Sequence, residues 1–112
     1  MPTDQEIAAF AKQMPAIYRD ILMAFPVIDP GRKAGYGLAA QTIAMHFANT
    51  GKSHSVGDVL AACMAFATSG FVEVKNGFFI HPTALGERLI AAVTGKPAAP
   101  VAGVPPLPAP TW

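Results

Sequence analysis

Residues 71–82 read Phe-Val-Glu-Val-Lys-Asn-Gly-Phe-Phe-Ile-His-Pro. Two runs of β-branched and aromatic residues flank Asn76-Gly77. Asn and Gly both tolerate the positive φ that a type I′ turn requires, so the spacing predicts a tight hairpin with a two-residue tip. Pro82-Thr83 ends the second strand. A β-hairpin in so short a chain needs helices to pack on, and the sequence on both sides supplies them.

Upstream, Ser55 opens a helix that Ser69-Gly70 closes, with Asp58 favouring its positive end. Val56, Val59, Leu60, Cys63, Met64 and Ala67 fall on one side of it. With Val56, Leu60, Cys63 and Ala67 turned to the core, the opposite face is Asp58, Ala61, Ala62, Ala65, Thr68 and Ser69. Thr50-Gly51-Lys52-Ser53 is a turn, with Gly51 placed for a left-handed cap. Before it a helix is expected from about Tyr36 to Asn49, with Tyr36, Ala40, Ile43, Ala44 and Phe47 as its stripe. Downstream of the hairpin, Leu85, Leu89, Ile90 and Val93 mark a last helix from about Thr83 to Val93.

At the N-terminus, Thr3-Asp4-Gln5-Glu6 is a capping box. Ile7, Phe10, Ala11, Met14, Tyr18, Ile21, Leu22 and Phe25 keep one stripe through Pro15. Proline removes a donor and clashes with the preceding turn, so a kinked helix or two short ones are expected over residues 4 to 25. Pro26, Pro30 and Gly31 then break the pattern, and residues 26 to 35 read as a loop. Residues 1–95 form one domain in this reading. From Lys96 the composition turns to proline and alanine, which predicts an extended polyproline-like tail over 96–112. Pro105-Pro-Leu-Pro108 within it reads as a solvated spacer, with docking in an aromatic groove as the alternative.

Composition narrows the function classes. The chain has 112 residues, a formal net charge of +1, 13% charged residues and 52% hydrophobic ones. These values exclude a disordered chain, a collagen-like chain and a polycationic nucleic-acid tail. The single cysteine, Cys63, excludes an internal disulfide. The N-terminus has neither a basic region nor an apolar one, and the longest apolar stretch, Val56 to Val72, is interrupted by Asp58, Thr68 and Ser69. A cytoplasmic protein without a membrane span is the expectation.

The order helix, helix, turn, helix, tight hairpin, helix is a mainly α architecture with a small β-hairpin, the winged helix-turn-helix arrangement. From Leu38 to Ile90, about half the chain, the sequence resembles bacterial winged-helix regulators. Asp58-Val-Leu-Ala-Ala-Cys-Met-Ala-Phe-Ala-Thr-Ser-Gly-Phe-Val-Glu-Val looks like their third helix entering the first wing strand. Gly77-Phe-Phe-Ile-His-Pro-Thr-Ala-Leu-Gly86-Glu-Arg-Leu looks like the second wing strand entering the last helix. The same pattern is similar to winged-helix dimerisation modules, such as those of small-molecule O-methyltransferases.

The resemblance implies a homodimeric transcriptional regulator, with the third helix in the major groove of double-stranded DNA and the wing on its backbone. Ser53, His54 and Ser55 at the helix start are the residues able to reach base edges. Arg32, Lys33 and Lys52 would hold phosphates, and Lys75 and Asn76 would touch backbone from the wing tip. The alternative is a protein-interaction or dimerisation module without DNA binding. It would use Asp58, Ala61, Ala62, Ala65 and Thr68, with Phe10 and Tyr18 of the first helix as a further seam. The third-helix face carries no Arg, Lys, Asn or Gln, which fits the alternative.

No enzyme, metal or cofactor is expected. Paired carboxylates, a phosphate loop and a nucleophile elbow are all missing from the sequence. His46, His54 and His81 match no zinc spacing, and Cys63 lies on a core stripe. Gly35-Tyr-Gly37 is a lone glycine pair that eases a loop into a helix.

Overall fold

The computed structural model describes residues 3–31, 33, 35–95 and 107. Along them run α1 (Asp4–Lys12), α2 (Ala16–Ile28), β1 (Leu38–Ala39), α3 (Ala40–Asn49), α4 (Val56–Thr68), β2 (Val72–Lys75), β3 (Phe79–Pro82) and α5 (Ala84–Thr94). The helices pack beside a small antiparallel sheet of order β1-β3-β2, whose strands β2 and β3 alternate more buried and more exposed residues. The architecture is mainly helical with a small sheet. The tail lies outside the described residues except for Leu107, which packs half-buried against the core.

The hairpin forms where the sequence places it. Asn76 and Gly77 both have positive φ, 55° and 78°. The Phe78 N–H donates to the Lys75 carbonyl at 3.2 Å. Pairing resumes at Lys75↔Phe79 rather than at Phe78, so the connection is one residue longer than the expected pair. Phe78 is the extra residue, and its carbonyl instead accepts the Ala40 N–H at 2.8 Å. That bond supplies one of the orphan donors at the start of α3, whose N-cap Ala39 has no side-chain acceptor.

Helix α3 starts at Ala40, not near Tyr36, and Tyr36 is exposed rather than part of a core stripe. Leu38 and Ala39 form β1 against β3, paired with Ile80 and Phe79. The approach depends on Gly37, where a Cβ would lie 2.5 Å from the Ile80 carbonyl oxygen. The open edge of β3 satisfies backbone groups that a helix would otherwise have to pair.

Pro15 splits the N-terminal stripe into α1 and α2, with the capping box at Thr3 and Glu6 formed. Pro26 does not end α2, which continues to Ile28. It offers no N–H to the Leu22 carbonyl, yet the helix continues past it, and the Asp29 N–H donates to the Phe25 carbonyl at 3.1 Å.

The core lies where α2, α3, α4 and α5 meet the sheet. Phe25, Phe47, Phe66 and Phe71 are fully buried at its centre. Phe66 and Phe71 meet edge to face with centroids 5.7 Å apart. Helix α5 is held against the sheet through Gly86, where a Cβ would lie 2.0 Å from the Phe71 carbonyl oxygen. Thr83 caps α5 by accepting the Gly86 N–H, and donates its hydroxyl to Gly70 at 2.6 Å. Arg88 of α5 pairs with Asp4 of α1.

Candidate interaction face

Helix α4 and the turn before it carry most of the residues singled out in the sequence. Ser55 caps the helix with a second capping box: its hydroxyl accepts the Asp58 N–H at 3.1 Å, and the Asp58 carboxylate accepts the Ser55 N–H at 3.3 Å. The acidic group is therefore fixed at the helix start, where the helix dipole favours it.

The helix is rotated from the expected phase. Val59, Ala62, Cys63 and Phe66 face the core. At 100° per residue this is a turn of about 80° from the stripe expected through Val56, Leu60, Cys63 and Ala67. Phe66, the bulkiest residue of the helix, decides the phase, because burying its ring removes the most apolar area from water. Its ring meets Tyr18 at 4.8 Å.

The rotation corrects the expected interaction surface. Ala62 is buried and so is Phe10, so neither lies on an outer face. Tyr18 is half-buried with its ring against Phe66, at the edge of the core rather than on an open seam. Asp58, Ala61 and Thr68 are exposed as expected, and Ala65 is half-buried. Val56 and Met64, assigned to the core side by periodicity, stand outward at 40% and 55% exposure. The outward face of α4 is thus Val56, Asp58, Ala61, Met64 and Thr68. The Thr68 hydroxyl is turned inward to donate to the Met64 carbonyl at 3.1 Å.

The turn before α4 has the opposite character. Lys52 Nζ lies 3.4 Å from Asp20 Oδ1, and His54 Nε2 donates to Asp20 Oδ2 at 2.9 Å. The His54 ring also stands edge-on to Phe47 at 5.1 Å. One carboxylate on α2 therefore binds two of the expected DNA contacts. Asp20 was not singled out in the sequence, and no local spacing links it to residues so far along the chain.

The remaining expected contacts are dispersed. Ser53, Ser55 and Lys33 are exposed, and Lys75 and Asn76 stand exposed at the hairpin tip beside Phe78 and Phe79. Arg32 lies outside the described residues. His81 is occupied at the other end of the sheet, where its Nδ1–H donates to the Gly35 carbonyl at 3.1 Å. Gly35 N–H in turn donates to Glu87 Oε2 at 2.8 Å, which pins the loop before β1 to α5.

Cys63 lies on the inner side of α4, and burial pushes its thiol up to about 12. A thiol held so far above its ordinary range is protonated near neutral pH, which makes it a weak nucleophile. Among the described residues, no cluster of three or more His, Cys, Asp or Glu side chains is arranged to hold a metal ion. No helix among them is long and apolar enough to cross a membrane. No family model, curated protein or solved structure matches the chain.

Proposed function

We propose that the chain is a winged-helix interaction module that binds protein through the outward face of α4, with a second copy of the chain as the partner. The support for the winged-helix reading is the order α2, β1, α3, α4, β2, β3 combined with a sheet ordered β1-β3-β2. The observation that carries the function is the outward face of α4, where Val56, Ala61 and Met64 are open to solvent and the one charge is the capping carboxylate of Asp58. Small side chains let a partner helix approach closely, and an exposed methionine adapts to its shape. A cytoplasmic setting belongs to the same proposal, supported by the free thiol of Cys63.

A second reading is a DNA-binding transcriptional regulator, favoured by the exposed Lys75 and Asn76 at the hairpin tip and by Ser53 at the start of the recognition-helix position. The two readings separate in solution. Sedimentation equilibrium of the wild type is expected to give twice the 11.7 kDa chain mass, and Met64→Glu is expected to return the mass to that of one chain. A monomeric wild type would sink the dimer. Anisotropy titration with random duplex DNA then tests the second reading, which requires an affinity that falls linearly with salt on log–log axes.

A further inference from the structure

A groove of about 360 Å³ opens between α1, α2 and the end of α5. It lies on other elements than the α4 face and does not depend on the function proposed for that face. Its floor is apolar and built from small side chains, Ala8, Ala11, Ala92 and Val93. Three charged residues line it: Lys12, Arg19 and Asp20. Asp20 has one oxygen on Lys52 and the other on His54, so its charge is already answered from the turn before α4. Lys12 and Arg19 are exposed, and neither side chain has an ion-pair partner among the described residues. The groove therefore presents two cations without a counter-charge among the described residues, beside an apolar floor. Its volume is within the range of small-molecule sites, about 300–1,000 Å³.

We propose that this groove binds a small amphipathic carboxylate, with the anionic head on Lys12 and Arg19 and an aliphatic body over the alanine floor. The guanidinium of Arg19 presents a planar pair of donors that matches a carboxylate, and Lys12 adds a point charge. The missing side-chain volume at Ala8, Ala11 and Ala92 makes room for the aliphatic body, and Met23 at the wall can move to fit it. A free cationic amphiphile would meet like charge at the head position. A polyanion such as DNA would leave the apolar floor uncovered.

The test is a two-dimensional ¹H–¹⁵N titration of the full chain with decanoate, below its micelle-forming concentration, and separately with decyltrimethylammonium. Decanoate is expected to give saturable shifts centred on the amides of Ala8, Ala11, Ala16 and Ala92, and the cation is expected to give none there. The double variant Lys12→Gln, Arg19→Gln should weaken decanoate binding about tenfold. Both side chains are exposed and without an ion-pair partner among the described residues, so the variant should keep the wild-type melting temperature, which shows that any loss is not unfolding. The proposal is overturned if decanoate gives no saturable shifts, if they spread over the surface, if the cation binds equally well, or if the double variant binds like the wild type.

Discussion

Two adjoining parts of the segment that runs from the end of α3 through α4 have opposite chemistry. The turn that leads into α4 is polar and internally paired, with Lys52 and His54 both on Asp20. The outward face of α4 is apolar and open, with Val56 and Met64 at 40% and 55% exposure. A surface that reads a polyanion needs free cations and hydrogen-bonding side chains on the helix that enters the groove. Here the Lys52 cation is paired within the chain, the His54 ring is engaged by the same carboxylate, and the helix face offers alanine, valine and methionine. The contrast is the basis of the protein-binding proposal for α4, while the paired turn fixes where α4 begins.

The largest expected effect comes from breaking the inner side of α4. Phe66 is fully buried and meets both Tyr18 and Phe71. Phe66→Ala should cost about 3–5 kcal/mol in urea unfolding, through lost burial and the cavity left behind. Met64→Ala, two residues away on the open face, should stay within about 0.5 kcal/mol at concentrations where the chain is monomeric. Equal costs at the two positions would refute the assignment of inner and outer sides.

That assignment was the part of the structure least legible in the sequence. Nearly every residue from Val56 to Ala67 is apolar, so a stripe can be drawn at more than one phase. The resolving signal was Phe66, whose size outweighs the valine and leucine chosen to define the core side. The hairpin was legible for the opposite reason. Asn76-Gly77 is a local backbone requirement that no distant contact needs to supply. The extra residue at Phe78 was not legible, because its carbonyl answers the start of α3, and β1 was hidden because it consists of two residues recruited by the open edge of β3. The Asp20 pairings depend on α2 packing beside the turn, which is a property of the tertiary fold alone.

A smaller effect tests how dry the inner side of α4 is. The Cys63 thiol is raised from 9.0 to about 12 by burial, so the folded state disfavours its thiolate. The unfolded chain loses this proton near pH 9 and the folded chain keeps it. The stability tied to the neutral thiol is therefore fully present below pH 9 and is lost progressively as the pH rises toward 12. At pH 10 the loss should be on the order of 1 kcal/mol. Urea unfolding of the wild type and Cys63→Ala at pH 7 and pH 10 isolates it, because other titrating groups are common to both. The gap between them should shift in favour of the variant at the higher pH. An unchanged gap, or reaction of the native thiol with Ellman's reagent at pH 8, would mean that water reaches this side of the helix.

The smallest expected effect on stability bears most directly on the contrast between turn and face. Asp20→Asn removes the charge that Lys52 and His54 share, at a cost on the order of 1 kcal/mol for a half-buried cluster with an exposed lysine arm. The same change releases the Lys52 cation and frees the His54 ring in the turn before α4. If the turn is the part that meets nucleic acid, the variant should bind random duplex DNA more tightly than the wild type, with a log–log salt slope steeper by roughly 1. If α4 meets protein, the variant should leave the solution mass unchanged, and any DNA affinity it gains should be nonspecific and vanish at moderate salt. A wild type that already binds DNA with a steep slope would contradict the neutralising role assigned to Asp20. In that case Lys52 and His54 exchange their carboxylate for phosphate on binding, and the polar turn, rather than the apolar face, is the working surface of the molecule.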